Sequence, residues 1–280
     1  MPVTNAPTGS FVLELEGQTV PVKSVEGGAI VGVVVTAAPA AGSHFREKHI
    51  SGVRYEPISI TASSRRQRPL FDWITAAWRG TLAKKNGAVI RADFNGTPKA
   101  KREFVKATLA ETTVPMVDAT STSAAADFTV RLTPERTSDV TPPASLPPTS
   151  PMPGDTPFMS SHFRLDIVGL DCNRVTKIDS FTVKQTPGTG LPEFPNLRIE
   201  FIASSLASWR TWFQSFIINS SASNEKTGSL FFLSPNLATV LATINFYNLG
   251  IFRLETAPAD PSRVVAELYC ERMELIIPPS

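Results

Sequence analysis

Seven prolines fall within residues 138–161: Pro142, Pro143, Pro147, Pro148, Pro151, Pro153 and Pro157, spaced by serine, threonine and Gly154. Proline has no amide donor and a fixed φ, so such a stretch cannot join a sheet and makes a semi-stiff linker. It divides the 280 residues into two parts of about 130, each the size of a small domain. The expected organisation is an N-terminal arm over residues 1–10, a first domain over 11–140, a linker over 141–161 and a second domain over 162–280. A polar run at residues 118–126 reads as a loop inside the first domain.

The two parts repeat one order of elements. Each opens with apolar residues at alternate positions, acids between them and a closing glycine: Phe11-Val-Leu-Glu-Leu-Glu-Gly17 and Phe163-Arg-Leu-Asp-Ile-Val-Gly169. That period of two is a half-buried strand. A second strand follows at residues 30–36 and 180–185, then a loop at 37–57 and 186–195, then a third strand at 58–62 and 197–203. Each part then offers one helix. Leu70, Phe71, Trp73, Ile74, Ala77 and Trp78 form an apolar stripe, with Pro69 in the first turn and Gly80 as a stop. Leu206, Trp209, Trp212, Phe213 and Phe216 form the other, with Ser205 as a candidate cap and Asn219 as a candidate end. All four tryptophans lie on these helices, so Phe71, Trp73, Trp78, Trp209, Trp212 and Phe216 are read as core anchors. More strands follow: residues 88–94, 104–112 and 127–132, with Asn95-Gly96 as a turn, and residues 230–233, 240–246, 251–255 and 264–277. The fold class is mainly β, with one helix per repeat and a tandem duplication of the whole unit.

Little in the chain suggests chemistry. Of three histidines, His44 and His49 share a charged loop and His162 stands alone, which is a poor metal pattern. No nucleophile elbow, phosphate-binding loop or zinc-protease helix is present. Gly188-Thr-Gly190 lies between prolines without the helix that a phosphate needs, so it reads as a turn. Glu14 and Glu16 read as the solvent face of a strand. No catalytic, cofactor or metal residue is assigned, and the chain does not read as an enzyme.

Charge points no more strongly to nucleic acid. Residues 1–140 carry 17 basic and 13 acidic side chains, and residues 141–280 carry 10 and 12. Arg65, Arg66 and Arg68 precede the first helix, Lys84 and Lys85 follow it, and Lys99, Lys101 and Arg102 read as a hairpin tip. No aromatic residues interleave with them to stack bases. The two cysteines, Cys172 and Cys270, read as free thiols of a reducing compartment. No span crosses a bilayer, and residues 1–10 lack the charge and apolar core of a signal peptide. The expectation is a soluble protein made inside the cell.

The second part resembles the tail-tube protein family of contractile phages, shared with the tubes of phage-like injection systems. The resemblance rests on Phe163–Gly169 leading to Val175-Thr-Lys-Ile-Asp-Ser-Phe-Thr-Val183, and on Pro195-Asn-Leu-Arg-Ile-Glu-Phe-Ile202 leading to Ser208-Trp-Arg-Thr-Trp212. It rests also on Ile244-Asn-Phe-Tyr-Asn-Leu-Gly-Ile-Phe252, read as a strand ending in an aromatic-Asn turn, and on the closing strand Val264-Val-Ala-Glu-Leu-Tyr-Cys-Glu-Arg-Met-Glu-Leu275. The first part follows the same order with residues 55–62, Phe71-Asp-Trp73 and residues 128–132, and lacks the aromatic-Asn turn.

The resemblance implies two tail-tube-like β-barrel or sandwich domains. It implies assembly into stacked rings, of three chains as a pseudo-hexamer or of six, forming the inner tube of a contractile phage tail. Its partners would be itself, tail sheath and baseplate proteins, and DNA passing through the lumen without sequence-specific binding. Its location would be the virion, after synthesis in the host cytoplasm. The long loop is then a subunit and ring contact, which assigns that role to His44, Phe45, Arg46, Lys48, Gly190 and Leu191. Alternatives are a baseplate or tail-terminator adaptor ring, the inner tube of a bacterial contractile injection system and, more distantly, an intracellular ligand-binding β-barrel protein. No cofactor is expected.

Overall fold

Strand β1 (Phe11–Leu15) turns through Glu16 and Gly17, at φ 49° and 81°, into β2 (Gln18–Val22). In the computed structural model, residues 9–39, 44–63, 67–122, 124–147, 156–218, 224–258 and 260–279 are described. The first half continues with β3 (Ser24–Gly27), β4 (Ile30–Thr36), β5 (Lys48–Tyr55), β6 (Ile58–Ala62), helix α1 (Arg68–Trp78), β7 (Lys85–Ala92), β8 (Pro98–Val114), β9 (Val117–Asp118), β10 (Phe128–Thr133) and β11 (Arg136–Val140). The second half contains β12 (Phe163–Ile167), β13 (Val175–Ile178), β14 (Phe181–Gln185), β15 (Pro192–Glu193), β16 (Leu197–Ile202), α2 (Leu206–Phe213), β17 (Lys226–Leu233), β18 (Val240–Ala257) and β19 (Asp260–Ile276). A π-helical turn, Gln214–Ile218, extends α2. The fold is mainly β, with one α-helix among the described residues of each half.

The strand orders of the two halves match. The first sheet runs β2-β1-β7-β8-β10-β6-β3 and the second β12-β17-β18-β19-β16-β13-β9. Apart from β2 at one end, β9 at the other, and β11, β14 and β15, which join the first sheet off this path, each strand has its equivalent in the same place. The match extends to irregularities. In the β7–β8 pair the register shifts between Lys85 and Gly87, and Lys106 takes φ 48°. In the β17–β18 pair it shifts between Lys226 and Gly228, and Asn248 takes φ 53°. A positive φ at a residue with a side chain is costly, so its recurrence marks a built bulge. Phe104-Val-Lys106 and Phe246-Tyr-Asn248 are thus equivalent. Asn248 lies within β18, which runs unbroken from Val240 to Ala257, so the aromatic-Asn turn expected from the sequence is a bulge inside one long strand.

The chain packs as two compact units. The described residues of Met1–Ile60, Lys84–Thr108 and Arg131–Thr149 form one, and those of Thr61–Ala83, Leu109–Val130 and Ser150–Ser280 the other. Leu13, Leu15, Ile58, Ile60, Ile90 and Phe104 fill the first core. In the second, Phe71, Phe128, Phe158 and Phe232 form a ring cluster with centroids 5.4–5.8 Å apart. Such offset aromatic contacts add to what burial alone contributes. Phe158 belongs to the proline-rich stretch, yet it is fully buried and its N–H donates to Ser63. Residues 1–8 of the expected arm and Pro148, Pro151 and Pro153 lie outside the described residues.

Helix α1 carries a proline in its first turn and ends before Gly80, at φ 82°. Ser205 stands at the N-cap of α2 without capping it, because its hydroxyl donates to Asp171 Oδ2 at 2.7 Å instead. Asn219, the expected helix end, lies outside the described residues. Strand β7 stops at Ala92, leaving Phe94 exposed, because Asp93 accepts the N–H groups of Asn95 and Thr97 and closes the turn. Lys99, Lys101 and Arg102 therefore sit within β8 rather than on the hairpin tip.

Candidate assembly surfaces

Within residues 37–57, expected to be a loop, Lys48–Tyr55 is instead a strand and forms half of a β-ribbon. Ile30-Val-Gly-Val-Val-Val-Thr36 is β-branched and free of charge, which favours extended chain. It pairs antiparallel with β5, from Ile30 opposite Tyr55 to Thr36 opposite Lys48, with a bulge beside Val33 and Val34. Ala37 N–H donates to Glu47 O, extending the pairing by one rung. Residues 40–43 lie outside the described residues.

Residues opposite each other across an antiparallel pair share a face. One face therefore carries Ile30, Val34, Ile50 and Val53, with Tyr55 at its base. Val34, Ile50 and Val53 are 59%, 62% and 55% exposed. The other face carries Val31, Val33 and Val35 with His49 and Arg54. No other described strand pairs with this ribbon. A two-stranded ribbon is marginal by itself in water, and a flat, charge-free edge strand is a template for pairing.

The assigned contact residues divide between two hairpins. His44, Phe45 and Arg46 stand exposed before β5, with Phe45 71% open, and Lys48 is the first residue of β5. Gly190 is buried at φ 68°, and a Cβ there would come within 2.7 Å of Leu82 Cβ. Leu191 beside it is exposed. The assigned anchors lie elsewhere: Phe71, Trp73, Trp78, Trp209 and Trp212 are buried, and Phe216 is half-buried between Trp212 and Tyr269. Sequence reasoning passed over the ribbon valines, Ile50 and Val53. The signal available was the absence of charge over seven residues of β4.

A second surface is the outer face of the β12-β17-β18-β19 sheet. Its polar side chains pair with one another. Arg164 bonds Asp166 at 3.1 Å and lies over the Phe231 ring; Ser229 bonds Asn245 at 2.7 Å. Glu274 accepts Tyr247 at 2.9 Å and Arg272 at 3.1 Å, and Arg272 also covers the Tyr247 ring. Within this group two cations are matched by two anions.

Reactive groups are quiet. Burial pushes the Cys172 and Cys270 thiols up to about 11, far from the range of a reactive thiolate. Among the described residues no three of His, Cys, Asp and Glu are grouped to hold a metal ion. No described helix is long and apolar enough to cross a membrane. Arg65 and Arg66 of the basic cluster lie outside the described residues, and Arg68 pairs with Asp72 at 2.8 Å.

No protein-family model matches the chain, and no curated protein matches it. Among solved structures it is similar to a chain of the sheath–tube complex of an extracellular contractile injection system, in the extended state, at 21% identity and TM-score 0.42. That match covers 49% of this chain and 93% of the other. A chain of the tube-terminating cap of the anti-feeding prophage matches at 21% identity and TM-score 0.41, covering 50% and 95%. Hcp1 from Flavobacterium johnsoniae matches at 16% identity and TM-score 0.32, covering 46% and 94%.

Proposed function

We propose that this protein is a structural virion protein: a tandem duplication of a tube domain, assembling into stacked rings that form the inner tube of a contractile phage tail. The observation that carries the reading is the β4–β5 ribbon. It exposes aliphatic side chains on both faces and has no described strand beside it, so it is built to be covered by another copy. His44, Phe45, Arg46 and Lys48 lie at its far end and would reach the neighbouring ring. Matching strand order, bulges and helices in the two halves support the duplication. Three chains would then supply six tube domains.

The self-paired outer face of the second sheet suits a channel wall. Its charges are already satisfied, so DNA would slide past without a site to hold it. The outside of the tube would meet sheath and baseplate proteins.

Electron microscopy of the purified protein at rising concentration tests the reading. Hollow rings or tubes are expected, and end-on views count the domains. Monodisperse single particles at every concentration would sink it. Ile50→Lys with Val53→Lys places two charges on the open face of the ribbon and should leave folded chains that no longer assemble.

A further inference from the structure

Strand β14 pairs with the far end of β8. Phe181 stands opposite Val114, Thr182 opposite Thr113, Val183 opposite Thr112 and Lys184 opposite Glu111. β7 pairs β8 only as far as Ala107, and β14 pairs with it beyond that point. The joint is seated by side chains as well. The hydroxyls of Thr113 and Thr182 are 2.8 Å apart. Phe194, just past β15, meets the Trp78 ring edge-on with centroids 6.3 Å apart. A hairpin of the second half is thus docked on the strand and helix of the first half, within one chain.

Both partners of this joint have equivalents that are left over. The step that carries Lys106 to Asn248 carries Glu111–Val114 to Arg253–Thr256 of β18. β17 pairs β18 only as far as Leu249, and beyond it β19 is the only described strand paired with β18. Trp78 stands five residues after Trp73; five after Trp212 stands Ile217. Trp78 is covered, whereas Ile217 is 43% exposed and Ile218 68%. Beside them lies a groove of about 250 Å³ lined by Leu206, Arg210, Phe213, Ile218, Leu254 and Thr256. The hairpin equivalent to β14–β15 is the β4–β5 ribbon. Ile30 begins three residues after the end of β3, as Phe181 begins three after the end of β13. Tyr55 precedes Ile58 by three residues, as Phe194 precedes Leu197.

We infer that the β4–β5 ribbon of one copy docks on the Arg253–Thr256 edge of β18 in a second copy, repeating between chains the joint that β14 makes with β8 inside a chain. The register follows from the internal joint: Ile30 opposite Thr256, Val31 opposite Glu255, Gly32 opposite Leu254, Val33 opposite Arg253. Tyr55 covers Ile217, as Phe194 covers Trp78. The contact joins two different surfaces, so it propagates head to tail, the kind of contact from which a closed ring can be built. It rests on the ring-forming reading above and specifies where the chains join.

Val31 and Glu255 are the equivalents of Thr182 and Thr113, so a chain carrying Val31→Cys and Glu255→Cys reports the joint directly. Under mild oxidation at assembling concentration it should give a covalent ladder of chains. Thr113→Cys with Thr182→Cys in one chain, which should close internally, is the positive control. A mixture of the two single variants should give mainly the mixed dimer. Ile217→Asp, at an exposed position, should leave the circular dichroism unchanged and abolish ring formation. If rings form but neither this pair nor Val33→Cys with Arg253→Cys cross-links, the joint is wrong and the tube reading stands. If Ile217→Asp assembles normally, the seat of Tyr55 is wrong. If the wild type forms no rings at any concentration, the tube reading fails and the joint fails with it.

Discussion

The indole of Trp73 donates to the carbonyl of Ala83 at 3.1 Å, across the turn that joins α1 to β7. Trp212 makes the same bond to Asn224 at 2.9 Å, just ahead of β17. Ala83 stands two residues before Lys85 and Asn224 two before Lys226, so the two pins occupy one place in the repeat. Each fixes the helix to the main chain that follows it and fills the core beneath.

Removing either ring should therefore be costly. Trp73→Ala or Trp212→Ala should lose about 3–5 kcal/mol of fold stability, as large-to-small core changes do. Phenylalanine keeps most of the burial and loses the hydrogen bond, so Trp73→Phe should cost only about 1 kcal/mol. Urea denaturation of the three variants measures both. A Trp73→Ala chain as stable as wild type would show that the indole is not an anchor.

Gly250 and Tyr269 face each other across β18 and β19, and the phenol ring covers the glycine so closely that a Cβ would stand 2.1 Å from it. Tyr269 donates to Glu225 at 2.6 Å; burial, and then this carboxylate, push its pKa up to about 12. Gly250→Ala should expel the ring. Ultraviolet titration should then show its tyrosinate forming closer to the ordinary value of about 10. An unchanged titration would mean that the strand yields instead of the ring.

Much of this architecture is legible in the residues, and the misses share a cause. Alternation located β1, β12, β16 and β19, because each buries one face. The helices were legible from tryptophans at helical spacing. The ribbon was not, because Lys48-His-Ile-Ser-Gly-Val-Arg-Tyr55 buries neither face, and so leaves no period to read. The bulge at Asn248 reads as a turn in the sequence because asparagine favours positive φ in both settings. Its equivalent, Lys106, gave no signal, since lysine adopts that conformation only when the surrounding strands impose it.

The two thiols supply a check on compactness. Burial raises both to about 11, and Cys270 Sγ also lies 3.1 Å from the carbonyl of Arg272. The thiolate fraction at neutral pH is then far below that of a free cysteine. A thiol reagent should modify the folded protein slowly and both cysteines promptly in denaturant. Fast labelling of either thiol in the native protein would show local opening in the loop before β13 or at β19.

Asp171 ties the start of α2 to the loop before β13. It accepts Ser205 Oγ–H at 2.7 Å, its N–H donates to Ser208 Oγ, and its carbonyl accepts the Trp209 indole at 3.1 Å. The Ser205 bond and then the Asn173 N–H hold its pKa below the ordinary value. A depressed carboxylate contributes stability at any pH above its unfolded-state value of about 3.9, and the contribution is lost as pH falls from there through the folded value. The wild type should thus lose stability on acidification below about pH 4, and Asp171→Asn should lose less over the same window while starting lower at neutral pH. Denaturant midpoints for the two proteins across that range measure the difference. Parallel acid slopes would remove Asp171 from the account and leave the indole of Trp209, through its main-chain bond, as the anchor of the helix.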